Sequence, residues 1–165
     1  MNNKGWLQEK KIEMKLRIRE LTQEDLPTLR TLILEAENFG EPFLETELHA
    51  LKWDSVPDLG KVFVATVKNQ LVGYIALRKK VFALNIDSII VAKARQKQGV
   101  GRALIEKAKD YAKSRKFKLL RVDTGNFMDY AIKFYIACGF LPCGYVENDF
   151  GLGTKQVHFY MDLTQ

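Results

Sequence analysis

Residues 89–116 read IIVAKARQKQGVGRALIEKAKDYAKSRK. An apolar strand ending leads into a turn carrying Gly99 and Gly101, and an amphipathic helix runs from about Gly99 to Arg115. The first amides of a helix have no partner inside it and lie at the positive end of the macrodipole. Glycine strips away the side chains that would keep a phosphate from those amides. Gln98, Val100 and Arg102 can present backbone N–H groups to the same oxygens, with Arg95, Lys97 and Arg102 as surrounding cations. Pyrophosphate binding is the chemistry indicated; a nucleic-acid backbone and plain solvent are the alternatives. A nucleotide P-loop would end in Gly-Lys-Ser/Thr, whereas this turn ends Gly101-Arg102-Ala103. A dinucleotide fingerprint would need a third glycine where Leu104 stands.

On the N-terminal side, MKLRIREL from Met14 alternates apolar Leu16 and Ile18 with charged residues, as a half-buried strand does. Thr22 then offers an N-cap to EDLPTLRTLILEAE, and PFLETELHALKW reads as a second helix or helix-like loop. KVFVATV and LVGYIALRKKVFA read as strands of a hairpin turning at Lys68-Asn69-Gln70, followed by the strand LNIDSIIVA. Beyond the glycine turn, FKLLRVDT is a strand and FMDYAIKFYIACG a helix stopped by Gly139. FLPCGYVE and KQVHFYMDL close the chain as two strands around a loop through Phe150, Gly151 and Gly153. The order implies an α/β fold: a mixed sheet with helices on its faces. Residues 1–13 lack the pattern and read as an extension before one domain over 14–165.

With 47% apolar and 28% charged residues, the chain can bury a core and is not a disordered segment. No apolar run is long enough to span a membrane, no leader of signal-peptide type is visible, and cytoplasmic residence is the expectation. Two cysteines, Cys138 and Cys143, form neither a disulfide framework nor a zinc spacing, and no metal site is expected. The net charge of +6 is unevenly spread. From Lys93 to Arg121 eleven basic residues face two acidic ones, while from Thr31 to Gly60 seven acids face Lys52 alone. Opposite fields in one small domain imply an anionic and a cationic ligand.

The pattern Gln-x-x-Gly-x-Gly over Gln96 to Gly101, preceded by IIVAKAR and followed by AIKFYIACGF from Ala131, resembles the GNAT superfamily of N-acetyltransferases. Lys93 stands where that family commonly has proline, and Lys97 where it usually has glycine. The resemblance covers about residues 14–163 and implies a single-domain, mostly antiparallel sheet of about seven strands with about four helices. It implies acetyl-CoA as acyl donor. Backbone groups of Ile89, Ile90 and Val91 would pair with the pantetheine arm. Gln96, Lys97, Gln98, Gly99, Val100, Gly101 and Arg102 would take the pyrophosphate, and Lys133 and Tyr135 belong to the second box. Met128 stands where the family often has an asparagine, with Asn126 nearby as the cofactor-binding candidate.

Transfer to an amine needs the amine neutral, yet a lysine-like amine has a pKa near 10.4, so a proton acceptor is wanted. Asp87, which interrupts the apolar strand NIDSIIV, and Asp123, which ends FKLLRVD, are the candidates; a water relay is the alternative. Tyr135 matches the family tyrosine that can protonate the departing thiolate. The family's acceptor wall coincides with the acidic segment, where Phe39, Glu41 and Phe43 suit a cationic amine, with Tyr145 and Phe150 closing the other side. The expected acceptor is a small molecule of polyamine, aminoglycoside-like or lysine-like type, and a protein N-terminus or lysine is the alternative. A CoA-binding module without catalysis and a nucleic-acid binder are the readings of other classes, the latter disfavoured because the cations ring a glycine turn rather than an aromatic face. The final strands leave room for a homodimer.

Overall fold

A computed structural model describes residues 15–36, Leu51 and 58–164. Its strands are β1 (Leu16–Glu20), β2 (Gly60–Val67), β3 (Gln70–Lys79), β4 (Ala83–Val91), β5 (Leu119–Gly125), β6 (Leu141–Glu147) and β7 (Lys155–Asp162). The helices are α1 (Leu26–Glu35), α2 (Val100–Ser114) and α3 (Asp129–Ala137). The seven strands form one sheet in the order β1-β2-β3-β4-β5-β7-β6, antiparallel at every contact except β4 with β5. The helix expected across 42–53 falls outside the described residues apart from Leu51, which is helical and buried.

Local chemistry explains each junction. Lys68 and Asn69 both adopt positive φ (49° and 65°), the conformation of a two-residue turn whose twist matches its strands, so Gln70 already belongs to β3. Thr22 starts a 3-10 turn over Gln23–Asp25 that runs into α1, where Pro27 falls early enough to be tolerated. The Asp25 carboxylate accepts the backbone N–H of Thr22 at 2.8 Å and its hydroxyl at 3.0 Å. At the end of α3, Gly139 (φ 92°) carries a Schellman cap: its N–H bonds the Ile136 carbonyl at 2.9 Å, and the Phe140 N–H bonds that of Tyr135 at 3.1 Å.

The sheet is packed on both faces. One face, with Phe63, Ile75, Leu77, Leu84, Ile86, Leu120 and Phe159, is covered by Val100, Leu104, Ile105, Ala108 and Ala112 of α2 and by Ala131 and Tyr135 of α3. Their spacing on α2 is the helical one, so a single stripe meets the strands. Truncating a fully buried leucine such as Leu104 removes about 2–5 kcal/mol. The other face, with Val62, Val64, Tyr74 and Ala76, packs under Leu29, Leu32 and Ile33 of α1 and under Leu51. Leu16 and Ile18 join the first cluster while Leu21, past the strand end, joins the second. Among the described residues no helix is long and apolar enough to cross a membrane.

Candidate active site at the parting of two strands

β4 and β5 pair only from Ala83↔Leu119 to Ile86↔Val122. Beyond that point β4 continues to Val91 alongside β3, and β5 continues to Gly125 alongside β7, so the two central strands part. The cause is visible in the β3–β4 ladder, which passes from Ala76↔Ser88 to Leu77↔Ile86 and leaves Asp87 as an extra residue. Such a bulge bends and twists its strand away from its neighbour. Both carboxylates singled out in the sequence therefore flank the opening, one on each parted strand.

Their surroundings differ. Asp87 is engaged by Arg78, whose Nε lies 2.5 Å from Oδ2 and whose Nη2 donates to Oδ1 at 3.1 Å, and by Asn85 Nδ2 at 2.8 Å. Asp123 is half-buried and accepts a hydrogen bond from Gln156 Nε2 to Oδ2 at 2.9 Å. Burial pushes the Asp123 carboxyl above its ordinary value; His158 opposes this, Asp87 and Asp149 add to it, and Arg121 opposes it. Half-buried beside the parting of the strands and with raised proton affinity, Asp123 stays a candidate proton acceptor. Asp87, at the bulge, is held by a guanidinium.

The glycine turn stands on the opposite side of the sheet from α1. Lys97 (φ 57°) and Gly99 (φ 86°) both take left-handed backbone, and Ala103 N–H makes the first α2 bond, to the Gly99 carbonyl at 3.0 Å. The amides of Val100, Gly101 and Arg102 are thus outside the helical ladder. A Cβ on Gly99 would meet nothing within 4 Å, so the space above the turn is open, while one on Gly101 would meet the Phe134 ring at 3.1 Å. Gly99 serves conformation and access; Gly101 lets α2 approach α3. The glutamine side chains brace the turn, Gln96 Nε2 to the Val91 carbonyl at 3.2 Å and Gln98 Nε2 to that of Ala94 at 2.9 Å. Arg102 Nη2 reaches the Ala137 carbonyl at 3.2 Å, tethering α2 to the end of α3. Backbone donors at a helix N-terminus, open space and Lys97 fit a pyrophosphate.

The remaining sequence candidates are distributed as follows. Ile89, Ile90 and Val91 lie on the parted end of β4. The Tyr135 ring is buried against Phe134, Phe140 and Phe159, with centroids 5.4, 5.8 and 6.0 Å away. Asn126 extends the β5–β7 ladder, its N–H donating to the Lys155 carbonyl and its Oδ1 accepting the Lys155 N–H, both at 2.8 Å. Lys133 is exposed and paired with Asp129 at 2.5 Å. Phe150 packs edge-on against Phe127, centroids 5.7 Å apart, and Phe127 lies over Gly125. Tyr145 pairs across the ladder with Val157, and Val157 with Thr124, so it sits on the α3 side of the sheet, away from Asp123. Phe39, Glu41 and Phe43 lie outside the described residues. Gln156, Asp149 and Phe127 are not among the residues that the sequence singles out. Alternation of Gln156, His158 and Tyr160 with Val157, Phe159 and Met161 along β7 was the available signal.

Comparison with known proteins defines the class. The model of the Acetyltransferase (GNAT) family matches residues 18–140, and the chain belongs to that family. No curated protein matches it significantly. Among solved structures, a ribosomal-protein alanine N-acetyltransferase from Escherichia coli superposes with a TM-score of 0.76 at 19% identity, covering 91% of this chain and 95% of that one. A spermidine N-acetyltransferase chimera from Vibrio cholerae gives 0.76 at 23%, covering 90% and 96%. A GNAT family acetyltransferase from Elizabethkingia anophelis with acetyl-CoA bound gives 0.71 at 23%, covering 89% and 97%. The protein is an acyltransferase of the N-acetyltransferase type whose donor is acetyl-CoA.

Proposed function

We propose that this enzyme acetylates a primary amine of a small cationic molecule, with Asp123 as proton acceptor and Tyr135 as proton donor. The observation that carries the reading is the placement of Asp123 at the parting of β4 and β5, half-buried and near enough to Asp87 and Asp149 to feel both charges. The carboxylates of Asp123 and Asp149 can attract an ammonium, and a carboxyl of raised proton affinity can take its proton. The aromatic pair Phe127–Phe150, close to Gly125, offers apolar contact to the carbon chain of such an amine. The spermidine-acetylating relative supports this acceptor class as an analogy.

The donor supplies the acetyl thioester. Amides of Val100, Gly101 and Arg102, with Lys97, hold the pyrophosphate end, and the parted end of β4 holds the arm and presents an amide to the thioester carbonyl. Asp123 removes a proton from the ammonium, the freed nitrogen lone pair forms the N–C bond as C–S breaks, and the Tyr135 hydroxyl delivers a proton to the leaving sulfur. The second proton, then lost by the acylated nitrogen, restores the Tyr135 hydroxyl through water, and the one on Asp123 passes to solvent. Holding amine and thioester together supplies a large part of the remaining acceleration.

The test is free-thiol release from acetyl-CoA with spermidine, free lysine and a peptide α-amine, in wild type and Asp123→Asn. Preference for spermidine, lost in the variant, is the expected result. Preference for the peptide selects the protein-acetylating reading, and an undiminished Asp123→Asn rate removes Asp123 from the mechanism.

A further inference from the structure

We propose that Gln156 of β7 is a positioning residue for Asp123, holding its Oδ2 so that Oδ1 is left to take the proton of the amine. The inference rests on the assignment of Asp123 as proton acceptor. Asp123 lies opposite His158 in the β5–β7 register, and Gly125 lies opposite Gln156, so Asp123, Gln156 and His158 share one face of the sheet. The hydrogen bond from Gln156 Nε2 to Asp123 Oδ2, at 2.9 Å, spans the diagonal of this ladder. On the β6 side the same face presents Gly144 and Val146, opposite His158 and Gln156, and neither carries charge. The ionic groups acting on Asp123 are His158 on β7, Arg121 on its own strand, Asp87 on β4 and Asp149 in the β6–β7 connection.

That inventory gives Gln156 its role. Burial and two neighbouring carboxylates favour the protonated, useless form of Asp123, whereas a neutral amide donor favours the carboxylate without adding charge that would repel an ammonium. A lysine in place of Gln156 would stabilise the carboxylate more strongly and defeat cation binding at the same opening. Fixing one oxygen by an amide from a ladder strand also restricts rotation of the carboxyl, which a base in a cleft requires. The Asn126–Lys155 bonds already close this end of the β5–β7 ladder without the Gln156 side chain.

The experiment is a carbon-13 titration of the Asp123 carboxyl in wild type, Gln156→Met and Gln156→Glu, with kcat/KM against pH on spermidine in parallel. Loss of the donor should raise the Asp123 midpoint by about one pH unit in Gln156→Met and by more in Gln156→Glu. The acid limb of kcat/KM should move upward by the same amount. A merely structural role would lower the melting temperature and leave both midpoint and limb where they were, and that outcome overturns the proposal. A moved midpoint with an unmoved limb overturns it too, by removing Asp123 as the proton acceptor. The titration needs no turnover, so failure of the spermidine assignment and failure of the Gln156 assignment give separate signatures.

Discussion

The Tyr135 carbonyl accepts the Phe140 N–H at 3.1 Å while the rings of the same two residues meet edge-on, centroids 5.8 Å apart. Both contacts depend on Gly139 between them, which holds φ at +92°. The run Tyr-x-x-x-Gly-Phe is therefore a helix cap first: the cap orients the last turn of α3, and with it the buried tyrosine. A Cβ at position 139 would come no nearer than 3.9 Å to Met161 Cε, so its penalty is conformational rather than a clash. Gly139→Ala should cost about 1–2 kcal/mol in urea unfolding, and Gly139→Asn less, because asparagine tolerates the left-handed region better. Equal midpoints for wild type and Gly139→Ala would mean the cap is not strained by a side chain.

Removing the Tyr135 hydroxyl alone tests its proposed role as proton donor apart from the packing of its ring. Tyr135→Phe keeps the ring stack with Phe134, Phe140 and Phe159 and should leave the melting temperature close to that of wild type. Loss of a proton donor to the leaving sulfur should lower kcat by about a hundredfold with the KM for acetyl-CoA unchanged. A kcat within a few-fold of wild type would hand that proton to solvent and leave Tyr135 as a core residue.

Access to the α2 N-terminus can be tested at Gly99. Alanine there meets no atom within 4 Å but must adopt φ near +86°, so Gly99→Ala should fold, lose about 1 kcal/mol and retain stabilisation by CoA. Gly99→Glu adds bulk and negative charge facing the open space and should abolish the CoA-dependent thermal shift. ATP should stabilise neither protein. A normal CoA shift in Gly99→Glu would place the pyrophosphate elsewhere.

Much of this architecture is legible in the sequence because its signals are local. Gly99 and Gly101 at a helix start, Lys68-Asn69 between alternating strands, and Gly139 after an apolar helix each specify their own backbone. What a linear reading misses is pairing. Gln156 lies 33 residues from Asp123, and only the β5–β7 register joins them. The bulge at Asp87 is equally invisible, since an acid in a strand looks the same whether it is a base or an arginine's partner. Tyr145 drew attention as an aromatic near a loop, yet strand parity turns it to the α3 side, where Lys155 Nζ sits 4.2 Å from its ring centroid.

The start of α1 gives a prediction independent of catalysis. Arg19 grips Asp25 through Nη1–Oδ2 at 2.6 Å and Nη2–Oδ1 at 2.8 Å, and with the Thr22 bonds this fills the carboxylate. The Arg19 hydrogen bond, chiefly, holds the Asp25 carboxyl down at about 2, against burial acting the other way. Because the folded value lies below the unfolded one, the group stabilises the fold above about pH 4, and that contribution is lost as pH falls through about 2. With Arg19 44% exposed to solvent, screening brings the contribution to about 1 kcal/mol. Asp25→Asn should therefore be less stable than wild type by about that amount near neutral pH, with the gap closing on acidification toward about pH 2. Urea midpoints of both proteins across this range check it; a gap that stays constant with pH would assign the loss to the cap geometry and not to the charge.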